Sequence, residues 1–471
     1  MEKHFIDIQS ICTSYLIHES IEWHQLNFLV SQLKDIMQQD TEREKVSEDS
    51  LNILTELLQT CKTCIDEAVS IKDSIECITQ SYRLLRNVCV QCKRNQDLIH
   101  CHEKLFLLSN NLIDIFINLA KSKENELPII TLRCMVQFLG NCTTGHRDNQ
   151  LLLWRTSKKN IRKLLTVADD KLVTYTCMVV HTCLSNNCDN SEIWANEDTI
   201  QVVVDVIAYT AVQECEWGMF LIESLCKVDQ SFSLVLPRLE DSEKLLTLEI
   251  LLDQVKHTEK DHITAMSNLQ YIKTDVKTQA YKLLSLLTKH EDQNPVVIVK
   301  EIEILGIATS HHTVYQDINE DKDLLTCIIY LLDAIHKMGK QGDNVFSSVN
   351  KSTDVVHVDT DHATYGLKRD LIRLIGNMGY QHEENQNLIR EMNCIPLVLD
   401  QTNIDGRNPY ITQWSVLAIH NICKDNAENK AVLASLKFSG LVDDAETLRK
   451  YGIDAEVKDD KIVVKAPTTN K

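Results

Sequence analysis

The chain has 471 residues, 68 acidic against 49 basic side chains, and a formal charge of −19. A sequence-independent grip on nucleic acid or on an anionic membrane needs a basic surface, so both are poor partners for this composition, whereas acidity favours solubility and neutral or basic protein partners. Only 12 Gly and 6 Pro occur, too few for a turn-rich β protein, and the class expected is all-α.

From Met1 to about Gln39 the apolar spacing is helical, with Trp23, Leu26 and Val30 at i, i+3 and i+7. A polar stretch from Gln39 to Asp49 precedes a helix pair at 51–69 and 71–92. Further units are expected at 128–165 and 172–210, and helices at 244–256, 275–289, 295–308 and 322–338. Pro128, Pro237, Pro295, Pro396 and Pro409 each precede an apolar helical run, where a missing N–H costs nothing; Pro467 lies in the tail. Residues 339–366, rich in Gly, Ser, Asn and Asp, read as a long mobile loop.

Leu367, Leu371, Leu374, Ile375 and Met378 then make one apolar helix face. Gly379 offers a left-handed stop, and Glu383 and Glu384 suit the positive end of the helix that follows. That helix runs to about Met392, Ile395-Pro396 opens another, and a long helix from Pro409 is expected to bury Ile411, Trp414, Ala418 and Ile422. A long helix, a tight turn and two short helices make the three-helix armadillo unit. Beyond Leu441, residues 455–465 read as two short strands about an Asp-Asp turn, a pairing that is marginal unless it docks.

One pattern crosses these elements. Asn87/Asn95, Asn141/Asn149, Asn377/Asn385 and Asn421/Asn429 are pairs eight residues apart, each at the end of one helix and the start of the next, and the second is followed by Gln or Lys. Thr182/Asn190 keeps the spacing as a degenerate copy. First members lie 54 residues apart in the first two pairs and 44 in the last two, and Asn141 to Thr182 is 41, on or near the armadillo/HEAT period. The expected fold is an armadillo/HEAT-like α-solenoid with a small C-terminal β-hairpin-like tail. Its expected divisions are helical repeats over 1–240, degenerate repeats over 241–338, the loop 339–366, C-terminal repeats over 367–443 and a tail over 444–471.

The 17 cysteines fall in helical stripes, as reduced core residues do, and the N-terminus has no signal-peptide core, so the chain reads as cytosolic. Cys61/Cys64 and Cys89/Cys92, followed by His100-Cys101-His102, approach a zinc spacing, but neither pair has the Gly or Pro turn of a zinc knuckle. His357, Asp359, Asp361 and His362 cluster in the loop with nothing rigid to orient them. No phosphate-binding loop, nucleophile elbow or H-E-x-x-H occurs, and His382-Glu383-Glu384 lacks the second histidine. No cofactor, metal or catalytic residue is expected. Asn141-Cys-Thr and Asn350-Lys-Ser match the glycosylation triplet, which a cytosolic address silences.

Phe138-Leu-Gly-Asn-Cys, the block Leu371-Ile-Arg-Leu-Ile-Gly-Asn-Met-Gly-Tyr, the run from Glu384 to Leu399 and the run from Asn408 to Ile422 together resemble the ataxin-10 family. Tyr82 to Cys92, Ile335 to Lys340 and the end of the tail from Asp460 match as well, and the likeness is weakest at 1–70 and 230–320. The resemblance implies an armadillo-repeat protein without known catalysis, whose C-terminal repeats form the family's characteristic domain. It also implies roles in neurite outgrowth, neuron survival, cytokinesis and the cilium, and a cytoplasmic or perinuclear address with the midbody or ciliary basal body. The implied partners are the O-linked N-acetylglucosamine transferase and G-protein β subunits.

Asn87, Asn141, Asn377 and Asn421 are candidates either for lining a groove or for tying down inter-repeat turns, together with Arg83 and Arg373. Importin-type armadillo proteins pair such an asparagine with a tryptophan four residues earlier; here those positions hold Arg83, Gln137, Arg373 and Leu417, which favours the turn role. The leading function is a scaffold that binds signalling or cytokinetic partners on its concave face. The alternative is a transport-type adaptor for extended basic peptides, and an enzyme acting through the cysteine clusters ranks last. A homo-oligomer is left open.

Overall fold

The computed structural model describes residues 1–18, 21–121, 126–258, 264–287, 295–349, 358–436, 454–458 and 461–465. It divides into two compact units, Met1–Ile272 and Lys273–Lys471, with the division inside the segment read as degenerate repeats.

The first unit holds α1 (Glu2–His18), α2 (Trp23–Ile36), α3 (Asp40–Arg43), α4 (Glu48–Asp66), α5 (Ile71–Cys89), α6 (Lys93–His100), α7 (Glu103–Leu119) and α8 (Leu127–Thr143). It continues with α9 (Arg147–Leu165), α10 (Asp170–Ser185), α11 (Ser191–Trp194), α12 (Glu197–Gln213), α13 (Glu216–Leu225), α14 (Ser231–Val235) and α15 (Asp241–Lys256). Two layers result. α2, α5, α8, α10 and α13 stack in turn as one layer, and α1, α4, α7, α9, α12 and α15 stack behind them as the other. Between the layers lie Tyr82, Phe106, Phe116 and Phe138, all fully buried, each such side chain contributing about 1.5–3 kcal/mol. Tyr82 keeps its hydroxyl satisfied there through Ser109 at 2.8 Å. This is a helical-repeat solenoid, in which each helix pair buries its apolar side on the next.

α16 (Met266–Gln279) begins nine residues before the expected helix at 275, and from Ala280 to Leu287 the chain tightens into a 3₁₀ helix. The second unit then holds α17 (Val296–Ala308), α18 (Gln316–Asn319), α19 (Lys322–Gly339), α20 (Leu367–Met378), α21 (Glu383–Glu391), α22 (Cys394–Leu399), α23 (Ile411–Cys423) and α24 (Ala427–Ser435). α17, α20 and α23 stack in order, with α19 and α22 behind. Gly376 permits the close approach of α20 to α23: a Cβ there would lie 2.7 Å from the Ala418 Cβ.

Three expectations need correction or completion. Gly379 is right-handed at φ −81°, and the left-handed residue of that turn is Gln381 at φ 53°, so side-chain bonds hold the turn without glycine's freedom. Ile411, Ala418 and Ile422 are buried, but Trp414 is half-exposed, because it points to the outer side of the long-helix stack. The described start of the expected mobile loop is fastened: Lys368, buried and with its pKa lowered by that burial, donates to the Phe346 carbonyl at 2.6 Å, and Arg407 donates to the carbonyls of Asn344 and Ser347. Asp454–Lys458 and Lys461–Lys465 pair antiparallel, with Asp454 opposite Lys465. Asn350, His357 and Pro467 lie outside the described residues. Among the described residues no helix is long and apolar enough to cross a membrane.

Candidate functional site

Each asparagine pair brackets the same junction. Four residues after the first asparagine the backbone turns left-handed, at Gln91 (φ 48°), Gly145 (φ 70°), Gln381 (φ 53°) and Asp425 (φ 58°). The next residue caps the new helix, and His146, His382 and Asn426 accept the second asparagine's backbone N–H on their side chains. Three of the four turn residues have a Cβ, so the conformation is held at some cost.

What holds it is the second asparagine, 0% exposed in all four copies. Its amide donates to a carbonyl seven residues back, at the end of its own long helix: Val88, Cys142, Met378 and Ile422, at 2.9, 2.8, 2.8 and 2.8 Å. The same nitrogen donates to the preceding repeat at Arg43, Gln96, Asn319 and Gln386. One side chain thus satisfies a helix-end carbonyl and clips two repeats together. At two of the three junctions where Gln follows, Gln96 reaches forward to the Asn141 and Thr144 carbonyls, and Gln386 to those of Asn421 and Lys424, whereas Gln150 donates back to the Thr143 carbonyl.

The first asparagines also bind the preceding long helix. Asn87 donates to the Lys34 carbonyl at 3.0 Å, Asn141 to Arg86 at 3.0 Å, Asn377 to Gly306 at 2.9 Å and Asn421 to Gly376 at 3.1 Å. Asn377 and Asn421 are buried, Asn87 and Asn141 half-buried. The Asn377 bond marks α17 as a repeat's long helix, which the sequence hides because Ile307 stands where the asparagine would be. The degenerate copy behaves differently. Thr182 bonds within its own helix to Met178, Asn190 caps α11, and the Trp194 indole N–H takes over the seven-residue reach, to the Asn187 carbonyl.

On α5 and α10 the side chains four and one residues before the first asparagine, or before its degenerate counterpart Thr182, lie on the outer side of the long-helix layer, whereas Gly140 and Gly376, one before Asn141 and Asn377, are buried at helix seams. On α5 these are Arg83 and Arg86, both half-buried; Arg86 donates to Gln137 on α8 and to Asn87. On α10 they are Met178 and His181. The His181 ring lies 5.6 Å from the Trp217 ring and 5.9 Å from Phe220, which are 5.7 Å from each other on α13. Burial lowers the His181 pKa, so the cluster is neutral at physiological pH. In the second unit Arg373 sits 4.5 Å above the Trp414 ring and 3.4 Å from Asp370, with burial lowering its pKa. The structure thus places Arg83 and Arg373 on the outer side of their layers and all four first asparagines at its inter-helix seams. The sequence reading missed Trp414 as a face residue because it tested only the position four before the asparagine, and seven before falls on the same helix face; it missed Trp217 because α13 carries no asparagine to mark its face.

Burial pushes the Cys89 thiol up, and a bond from Cys77 together with burial pushes up Cys61, which is the wrong direction for a nucleophile. The depressed thiol is Cys215, which the sequence did not single out. A bond from Cys177 and the Gly218 and Trp217 amides at the start of α13 outweigh its burial and hold it at about 6. Among the described residues no three His, Cys, Asp or Glu side chains are grouped to hold a metal. A cleft of about 520 Å³ by α9 and α11 is lined by Glu103, Arg155, Lys158 and Glu192. Its Trp154 already gives its indole N–H to Thr199.

Residues 367–465 match the family model described as the spinocerebellar ataxia type 10 protein domain. Ataxin-10 of Xenopus tropicalis is 32% identical over 397 residues, covering 82% of this chain and 80% of the relative. The chain belongs to the ataxin-10 family. Ataxin-10 of Homo sapiens is 28% identical over 453 residues, covering 94% of this chain and 93% of its own. An engineered protein of known crystal structure is 11% identical, covering 88% of this chain and 98% of that one, at a TM-score of 0.34. At that value the superposition adds nothing to the fold described above. The ataxin-10 domain model takes in Arg373, Asn377, Trp414 and Asn421, whereas the ladder of α5, α8, α10 and α13 lies outside it.

Proposed function

We propose that this member of the ataxin-10 family is a non-catalytic scaffold, holding protein partners along the exposed side of its long-helix layers. The observation that supports this most is the division of labour on those helices. Asparagines fasten the repeats to one another, and the side chains beside them, Arg83, Arg86, Met178 and His181, differ in chemistry from repeat to repeat. A regular backbone with a variable face is what a recognition surface requires. The partners are the O-linked N-acetylglucosamine transferase and G-protein β subunits that the family resemblance implies, acting in neurite outgrowth, cytokinesis and the cilium. The alternative, extended basic peptides, would need carboxylates where the first unit has Arg83 and Arg86.

Calorimetric titration of the purified chain with each purified partner tests the reading. Saturable binding to at least one is expected. No binding to either, at concentrations that saturate an ordinary protein interface, would overturn it.

A further inference from the structure

We infer that the ladder α5–α8–α10–α13 is the docking site of an extended acidic peptide whose carboxylates meet Arg83 and Arg86 and whose bulky apolar residue seats against Trp217 and Phe220. This deepens the scaffold reading and rests on it.

Charge points to the sign of the occupant. In a chain of formal charge −19, two arginines one turn apart on this face pair with no carboxylate among the described residues. Among the described residues Arg86 bonds the neutral amide oxygens of Asn87 and Gln137, and Arg83 has no ionic partner there. Carboxylates on this helix and its neighbours are otherwise engaged or offset: Asp35 pairs with Lys34 at 3.2 Å, Asp169 holds Arg133, and Glu76 lies nearly two turns up α5 from Arg83. Half-buried guanidinium groups without counter-charge are ready bidentate sites for carboxylates.

The other end is apolar. Three rings with centroids 5.6–5.9 Å apart are too close to admit a cation between them, and all three remain half-exposed. Their outer faces therefore offer a platform for an aromatic or branched aliphatic side chain, the usual anchor of an interface. Glu216 and Glu223 are exposed on α13, which disfavours acidic residues at that end and fixes the peptide's polarity.

Spacing follows from geometry. Packed helices lie ~8–10 Å apart, so three steps from α5 to α13 span roughly 24–30 Å. An extended chain advancing ~3.3 Å per residue covers that in about seven to nine residues.

Fluorescein-labelled peptides with two adjacent Glu at one end, a Phe at the other and a Gly/Ser/Thr spacer of about five to twelve residues would be titrated with the full chain by fluorescence polarisation. Saturable binding is expected, best near the middle of that range and weaker at high salt. Arg83→Glu, at a half-exposed position that folding tolerates, should weaken it about tenfold. Trp217→Ala, or replacing the peptide's Phe by Ser, should weaken it about thirtyfold, and Arg155→Glu on the other layer should leave it unchanged. Exchanging Glu for Lys in the peptide should abolish it. The inference falls if no spacer binds, if the Lys peptide binds as well, or if Arg83→Glu has no effect. If the protein partners still bind in calorimetry, the scaffold reading survives that failure; if they do not, the scaffold reading itself has failed.

Discussion

Replacing Asn149 by alanine should cost far more than its lack of charge suggests. The side chain is 0% exposed and makes three bonds: its amide to the Gln96 carbonyl at 3.0 Å and the Cys142 carbonyl at 2.8 Å, and its oxygen with the His100 ring at 3.1 Å. Each neutral bond is worth about 1 kcal/mol net, and a buried carbonyl left without a donor costs about 1–3 kcal/mol. The expected loss is about 2–4 kcal/mol. Asn149→Asp should cost at least as much, because a carboxylate accepts where both partners also accept. Asn87→Ala, which loses one bond to a carbonyl, that of Lys34 at 3.0 Å, at a half-exposed site, should cost about 0.5–1 kcal/mol, since water can replace the amide.

Urea unfolding reads this out. In a Trp414→Phe background the remaining tryptophans, Trp23, Trp154, Trp194 and Trp217, all belong to the first unit, so fluorescence follows that unit alone. The midpoint should fall with the slope unchanged. A loss below about 0.5 kcal/mol, the range of an ordinary surface substitution, would refute the reasoning.

Gly376→Ala should destabilise the second unit by about 1–2 kcal/mol despite better helix propensity, because the new Cβ meets the Ala418 backbone at 2.8 Å; Gly140→Ala meets mainly the flexible end of Met178 and should be nearly neutral, and thermal melts compare the two. Asp321 is held at about 2: burial raises its pKa, but Lys273, the Leu324 amide and Lys277 outweigh it. A depressed carboxyl stabilises above the unfolded value of ~3.9 and loses that contribution as pH falls through about 2. Asp321→Asn keeps the helix cap and should flatten the acid limb of a stability–pH curve; an unchanged limb would count against the ion pairs. Tyr82→Phe leaves the buried Ser109 hydroxyl with only its bond to the Leu105 carbonyl and should cost about 1 kcal/mol in chemical denaturation.

The sequence revealed the repeats because their junction chemistry is local. An asparagine eight residues after another, bracketing a capped turn, is written in one stretch of chain. Long-range consequences were not. Ile307 in place of asparagine concealed α17's repeat until the Asn377 amide was seen on Gly306. Thr182/Asn190 had the spacing without the bonds, and an indole N–H took over the function. The face beside the asparagines was legible in part: Arg83 and Arg373 could be named from their offset. The Trp217–Phe220–His181 cluster could not, since it forms only when α10 meets α13.

Arg83→Ala and Asn141→Ala, each assayed for unfolding free energy and for affinity to whichever purified partner binds the intact chain, separate fastening from recognition most directly. The asparagine variant should lose stability and keep its affinity, and the arginine variant should do the reverse. An Asn141→Ala protein as stable as the original but unable to bind would mean that the asparagines grip the partner and that the inter-repeat clips are incidental.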